Sequence, residues 1–289
     1  MTSIQDTLKL ATERLLVSGI EGARSEARHL LAHVLNLSVA QVFARENDPL
    51  SANDIEKFEV VLSERAAGKP FAHITNTREF WSLPFKVSPA TLIPRPDSET
   101  IPELAIKLFE EADSPRDILD LGTGSGCLLC SLLTIFKEAH GVGVDLSSDA
   151  LEIAALNAKE LQLESRTIFK QSSWLENIAG SFDLIVSNPP YIETNTIAKL
   201  SADVREHEPH LALDGGTDGL DAYRNIIPGS FSVLRPDGVL ILEVGIGQAE
   251  EVTEIALKAG YLRGSRRTDI AGIERALSFY KKRGWNSLG

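Results

Sequence analysis

The chain has 289 residues, 43% hydrophobic and 24% charged, which is enough apolar material for a sizeable core and a length that fits two domains. Lys plus Arg number 29 against 41 Asp plus Glu, a formal charge of −12. An acidic chain repels a phosphate backbone on average, so a bulk nucleic-acid binder is disfavoured and only a local basic patch would allow one.

Residues 1–72 read as helices only. Ile4, Leu8, Ala11 and Leu15 recur at 4-3-4 spacing, and Ala27, Leu30, Leu31 and Val34 make a second stripe. Ser38 with Gln41, and Ser51 with Asp54, have the spacing of capping boxes, and Gly68 with Pro70 ends the last helix. The opening stretch has neither the basic region and apolar run of a signal peptide nor the acid-poor composition of a transit peptide, and no stretch approaches the ~20 apolar residues of a membrane span. The expected location is cytoplasmic. Residues 1–75 carry 8 basic against 10 acidic side chains, net −2, so this is no basic arm.

Residues 73–98 change character. Arg78–Val87 alternates and is aromatic, which predicts a β-hairpin, and Thr91–Glu99 carries two prolines that forbid a regular helix before Pro96. This is the expected linker to a third region, 99–289. There, strand and helix patterns alternate. Strands are expected at 118–121, 141–145, over TIFKQ, from 182 and at 239–244, with one or two weaker ones in the tail. Helices are expected after the first two strands, near 218–234 up to a Pro236-Asp237-Gly238 turn, and over 247–259. Such alternation means an α/β fold with a parallel sheet covered on both faces.

Asp120–Cys127, DLGTGSGC, falls between a strand and a helix. Glycines there allow a sharp turn and close approach of a ligand, and the helix start offers unpaired N–H groups. The order is G-x-G-x-G, not the G-x-G-x-x-G of dinucleotide folds. Asp145 ends the second strand, where a carboxylate accepts from ribose hydroxyls or caps the next helix. The fourth strand runs into Asn188-Pro189-Pro190-Tyr191. Two prolines remove two donors and stiffen the corner. An asparagine oxygen beside free carbonyls can hold both hydrogens of an –NH2 group and aim its nitrogen at a reacting methyl.

These residues together resemble an adenosylmethionine-dependent methyltransferase of the seven-stranded, Rossmann-like kind. More specifically, the chain is similar to the peptide chain release factor N(5)-glutamine methyltransferases. ARHLLAHVL, GKPFAHI, REFWSLPFKV, LIPRPDSE, EPHLALDGGTDGLDAYR, LILEVGIGQ and DIAGIERAL carry that likeness along nearly the whole length. It departs from the family pattern at Phe71–Asn76, at Asp97-Ser98-Glu99 and at Ser173. The resemblance implies a Rossmann-like seven-stranded methyltransferase sheet with a small N-terminal helical domain that docks the protein substrate. It implies S-adenosylmethionine as cofactor, held by Gly122, Thr123, Gly124, Ser125, Gly126, Asp145, Trp174 and Asn188. It implies Asn188, Pro189 and Tyr191 as catalytic residues, with Pro190 completing the grip on the substrate. That substrate would be the glutamine of the Gly-Gly-Gln loop in release factors, with no membrane or direct nucleic-acid partner.

The competing reading is an N(6)-adenine methyltransferase acting on DNA or RNA, which shares the Asn-Pro-Pro-Tyr motif but would flip a base and show a basic groove. A decayed, non-enzymatic fold would not be expected to keep the whole set. Cys127 and Cys130 are two ligands where zinc wants four, and they read as small buried helix residues in a reducing compartment. His29 and His33, four apart without HExxH, read as helix surface or core. His207 and His210 lie beside Glu206 and Glu208, and no metal is expected. Arg95 reaches into the mouth of the site or pairs with Asp97 or Glu99. Arg224 poses the same choice.

Overall fold

The apolar stripes at the start of the chain become helices. The computed structural model describes residues 2–110 and 112–281. It begins with α1 (Ile4–Val17), α2 (Ala23–Leu35), α3 (Val39–Ala44), α4 (Ala52–Ala66) and α5 (Phe71–Thr75). Ile4, Leu8, Ala11 and Leu15 are buried with Ala27, Leu30 and Leu31 of α2 and with Phe58 and Leu62 of α4. The Ser38 capping box is complete: the Gln41 amide donates to Ser38 Oγ at 3.1 Å and the Ser38 amide to Gln41 Oε1 at 2.8 Å. A cap of this kind is worth about 1 kcal/mol, because it satisfies amides that the first helical turn leaves unpaired.

Cα packing divides the described chain into two units. One holds the residues through Thr77 together with Ser201–His207. The other holds Arg78–Leu200 and the residues from Glu208 onward. Residues 78–98, read from the sequence as linker, thus pack with the second unit. Its hairpin is β1 (Thr77–Phe80) and β2 (Leu83–Lys86). The turn passes through Trp81 and Ser82 with φ of 53° and 57°, the paired left-handed residues of a two-residue type I′ turn. Phe80 and Phe85 enter the same core cluster as Ile101 and Leu104.

The elements then run α6 (Thr100–Phe109), β3 (Asp117–Leu121), α7 (Cys127–Ile135), β4 (His140–Asp145), α8 (Ser148–Glu160), β5 (Thr167–Gln171) and β6 (Phe182–Ser187). After α9 (Thr194–Ile197) and α10 (Ala202–His207), the latter in the first unit, come α11 (Asp221–Val233), β7 (Leu234–Glu243), α12 (Ala249–Lys258), β8 (Tyr261–Thr268) and β9 (Glu274–Lys281). The sheet order is β5-β4-β3-β6-β7-β9-β8, parallel from β5 to β7, with β9 antiparallel to both neighbours. Alternate strand residues serve opposite faces. Ile118, Leu184, Val186 and Ile241 pack with residues of α6 and α7, whereas Leu119, Leu121, Ile185, Leu240 and Leu242 pack with α11 and α12. A sheet covered on both sides needs apolar residues in both registers, which is why the strands read as apolar runs.

One boundary differs from expectation. Pro236-Asp237-Gly238 does not separate helix from strand, because β7 already begins at Leu234. Phe182 pairs with Leu234 but Leu184 with Val239, so the extra residues bulge out of the ladder. Arg235 in that bulge pairs with Asp117 and Asp183, each at 2.6 Å. The winding of the chain reverses between β3 and β6, and a crevice forms at the carboxyl ends of strands at such a point.

Candidate cofactor and substrate site

β3 ends at Leu121, and the chain turns through Gly122–Gly126 into α7. The Gly122 and Thr123 amides both donate to Val144 O at 2.9 Å, which fastens the loop to β4. Gly126 caps α7 at φ 76°, and a Cβ there would lie 3.1 Å from Ala154 Cβ on α8. Glycine is required both for the left-handed backbone and for this approach. Asp145 accepts from the Gly124 amide through Oδ2 (2.8 Å) and from the Ser147 amide through Oδ1 (2.9 Å). Each oxygen keeps a second lone pair for a ligand. The helix cap itself is Ser147, whose Oγ accepts from the Ala150 amide. The Trp174 ring packs against Gly122.

Asn157, which sequence reasoning passed over, and Asp120, named there only as the start of the glycine string, both support this loop. Asn157 on α8, fully buried, donates to Ser125 O (2.8 Å) and Lys86 O (3.0 Å) and accepts from the Lys86 amide (2.7 Å). It ties glycine loop, α8 and hairpin through one amide. Asp120, also fully buried, accepts from the Thr123 hydroxyl at 2.6 Å while its Oδ1 has no partner. Burial pushes this carboxyl up to about 7, and the nearby Asp145 charge adds to the effect.

The other wall starts at Ser187, whose hydroxyl donates to Leu121 O at 2.6 Å and links β6 to β3. Asn188 Nδ2 then donates to Ser98 Oγ at 3.0 Å. Ser98 is buried in the 3-10 turn Pro96–Glu99. Tyr191 OH lies 3.4 Å from Glu243 Oε1, and Tyr191 O accepts from Gln248 Nε2 at 3.1 Å. Gln248 also donates to Gly219 O and accepts from the Gly245 amide, so it knots three loops. Glu243, at the end of β7, is buried, and burial pushes its carboxyl up to about 7 against the opposing pull of Ser98, Arg275 and Tyr191. The Tyr191 phenol is pushed up as well, by burial and by Glu243.

These walls enclose a cavity of about 440 Å³, lined by residues of the second unit alone. Of the residues singled out in the sequence, Gly122, Thr123, Gly124, Ser125, Asp145, Trp174, Asn188 and Pro190 line it. Gly126, Pro189 and Tyr191 do not. Gly126 is the helix cap, Pro189 is buried, and Tyr191 backs the corner on the Glu243 side. Arg95 lines the cavity too, and its partner is Glu208 at 2.5 Å instead of Asp97 or Glu99. Glu208 also accepts from the Ile93 amide, Asp97 pairs with Arg275, and Glu99 accepts from the Trp81 amide. Arg224 is half exposed and pairs with Asp218 and Asp221. Burial pushes the Cys127 thiol up to about 12 and Cys130 further still, so both are held as protonated thiols at neutral pH. Among the described residues no group of three or more His, Cys, Asp or Glu could hold a metal ion, and no helix is long and apolar enough to cross a membrane.

A seven-stranded sheet with this order and one antiparallel strand, a glycine loop after its first parallel strand and an Asn-Pro-Pro-Tyr corner after the fourth define a Rossmann-like methyltransferase. The family description "PrmC N-terminal domain" matches residues 6–75, and "Methyltransferase small domain" matches residues 102–217. A release factor glutamine methyltransferase of Bradyrhizobium diazoefficiens is 47% identical over 284 residues, covering 96% of this chain and 95% of the relative. One of Cereibacter sphaeroides is 42% identical over 273 residues, covering 94% and 96%. The human Mettl16 catalytic domain, solved with MAT2A 3′UTR hairpin 6, shares the fold, with a TM-score of 0.57 at 16% identity over 76% of this chain and 81% of that one. The chain belongs to the release factor glutamine methyltransferase family.

Proposed function

We propose that the protein transfers a methyl group from S-adenosylmethionine to the side-chain amide nitrogen of the glutamine in the Gly-Gly-Gln loop of translation release factors, in the cytoplasm. The observation that carries this reading is a single cavity lined at once by Gly122–Ser125, Asp145, Trp174 and Asn188. Its volume suits a ligand of nucleoside size. Asp145 retains acceptor capacity for ribose hydroxyls, Trp174 offers a flat face beside the loop, and Gly122–Gly126 let a ligand lie against bare backbone. When bound, S-adenosylmethionine supplies a methyl group made electrophilic by its sulfonium.

The chain's own task is alignment, since a glutamine amide nitrogen is a poor nucleophile. Asn188 Oδ1 and the Pro189 carbonyl accept the two N–H bonds of the amide. Those bonds strengthen as positive charge builds on nitrogen, which is the differential binding that lowers a barrier. Pro189, Pro190 and Tyr191 keep the corner stiff. No side chain is assigned as base, and the surplus proton leaves to water. Residues 1–72 are proposed to dock the protein substrate, so removing them raises KM for release factor more than for cofactor.

The test is incubation of the purified enzyme with labelled S-adenosylmethionine and either release factor or plasmid DNA, followed by mass mapping. One added methyl on the Gly-Gly-Gln glutamine supports the reading. Label on adenine, or on neither substrate, overturns it.

A further inference from the structure

We infer that Arg95 anchors the carboxylate of the cofactor and so fixes the methionine end of S-adenosylmethionine beside Asn188. The inference rests on the function given above and deepens it. S-adenosylmethionine carries a sulfonium, an ammonium and one carboxylate. The cavity suits the two cations, because Asp145, Asp149, Asp214 and Asp221 line it. Among the described residues, Arg95 is the only cationic side chain that lines it. A carboxylate entering an acidic, partly desolvated cavity is favoured by charge only beside that guanidinium.

Neutral donors do not offer an anchor of equal strength. The Gly122 and Thr123 amides donate to Val144 O, the Gly124 amide to Asp145, and the Gly126 amide to Thr123 O at 2.8 Å. The Thr91 hydroxyl donates to Ser88 O and the Thr123 hydroxyl to Asp120. Asn225 Nδ2 donates to Asp221 O at 2.8 Å. Ser125 Oγ, also on the lining, is buried without a hydrogen-bond partner. Being neutral, it supplements a charged anchor and does not replace one.

The fold holds Arg95 for this task. Pro94 and Pro96 stiffen its backbone, at φ −99° and ψ 141°, and its carbonyl accepts from the Ser98 amide at 3.1 Å. Nη2 donates to Glu208 Oε1 at 2.5 Å, and Glu208 also accepts from the Ile93 amide at 3.3 Å. The Glu208 side chain is 1% exposed and that of Arg95 38%, so the pair is fixed at its buried end and open at the other. One bond to Glu208 leaves the rest of a planar five-donor fork, which matches the two oxygens of a carboxylate. Ser98, three residues on, accepts from Asn188 Nδ2. One short segment thus grips the carboxylate and steadies the asparagine that receives the glutamine, which ties the position of the methyl to that of the amide.

The experiment uses the full chain and calorimetry with two probes. One is S-adenosylhomocysteine. The other is its decarboxylated counterpart, S-adenosyl-3-thiopropylamine, which keeps the adenosine, thioether and amine. Wild type binds S-adenosylhomocysteine about 10- to 100-fold more tightly, the equivalent of one charge-assisted hydrogen bond. Arg95→Met erases the preference: S-adenosylhomocysteine weakens by that factor and the decarboxylated probe by less than about 2-fold. Arg95→Lys keeps part of it, because an ammonium carries the charge without the fork. If Arg95→Met fails to fold beside a buried carboxylate, Arg95→Met/Glu208→Gln removes both charges and repeats the measurement, and the wild-type comparison needs no variant. Equal binding of the two probes by wild type overturns the assignment. So does an Arg95→Met variant that weakens both probes alike, the mark of a structural role. An Arg95→Met variant that leaves both unchanged while KM for release factor rises also overturns it, and places the guanidinium on the protein substrate. A wild type that shows the preference and leaves the release factor glutamine unmodified overturns the proposed function and leaves the anchor standing.

Discussion

The glycine loop and the Asn-Pro-Pro-Tyr corner end neighbouring parallel strands, yet different forces hold them. The loop is a backbone object. Two of its amides hang on Val144 O, Gly124 N on Asp145, and beside Ala154 the backbone of Gly126 leaves little room for a Cβ. The corner is a side-chain object, in which Asn188 leans on Ser98, Tyr191 on Glu243, and the Tyr191 carbonyl on Gln248. Crowding should therefore break the loop, and loss of a directed hydrogen bond should break the corner.

The largest expected effect tests the corner. Asn188→Ala is expected to cut turnover at least ~100-fold, the low end for losing a preorganised catalytic hydrogen bond. Cofactor affinity, measured by calorimetry, is expected to change far less. A native rate on release factor would remove Asn188 from the chemistry and erase the contrast. Next comes the charge under the loop. The Asp120 carboxyl sits at about 7 in the folded chain against an ordinary 3.8, so the folded state binds this proton more tightly. Stability contributed by the group then falls as pH rises from about 4 to 7, and the cost is complete above that range. Asp120→Asn removes it and can still accept from Thr123. Urea unfolding should show the variant more stable at pH 8, by on the order of 2 kcal/mol once relaxation of the site is allowed for, and equal to wild type at pH 4. A variant less stable than wild type at pH 8 would mean that the loop depends on that charge.

The two regions also differ in how openly the sequence declares them. Glycine spacing and the Asn-Pro-Pro-Tyr string are local, because the turn and the corner are each made by consecutive residues. Their supports are not. Asn157 reads as one more polar residue on a helix, and nothing nearby in sequence tells that its amide meets Ser125 and Lys86. Ser98 and Glu243 lie 90 and 55 positions from Asn188, a distance that only the strand order closes. Arg95 illustrates the same point. Its acidic neighbours in sequence, Asp97 and Glu99, are taken by Arg275 and the Trp81 amide, and its partner Glu208 is 113 residues on. The helical stripes and alternating strands were legible because burial acts on every residue of an element. The β7 start was not, since Pro-Asp-Gly signals a turn and only pairing with β6 turns it into a bulge.

The smallest expected effect sharpens the steric half of the contrast. Gly126 and Gly247 both sit in the left-handed region, at φ 76° and 83°. A Cβ on Gly126 would meet Ala154 Cβ at 3.1 Å and Ala154 Cα at 3.3 Å, whereas one on Gly247 would meet nothing within 4 Å. Gly247→Ala thus carries the backbone strain alone, about 1 kcal/mol. Gly126→Ala carries that strain and forces α7 and α8 apart, which also moves the carbonyl of Ser125 away from Asn157. Urea unfolding of the two variants separates the terms. Gly126→Ala should lose more stability than Gly247→Ala and also weaken binding of S-adenosylhomocysteine, while Gly247→Ala leaves binding unchanged. Equal losses would mean that backbone conformation governs the loop and that its closeness to α8 is incidental.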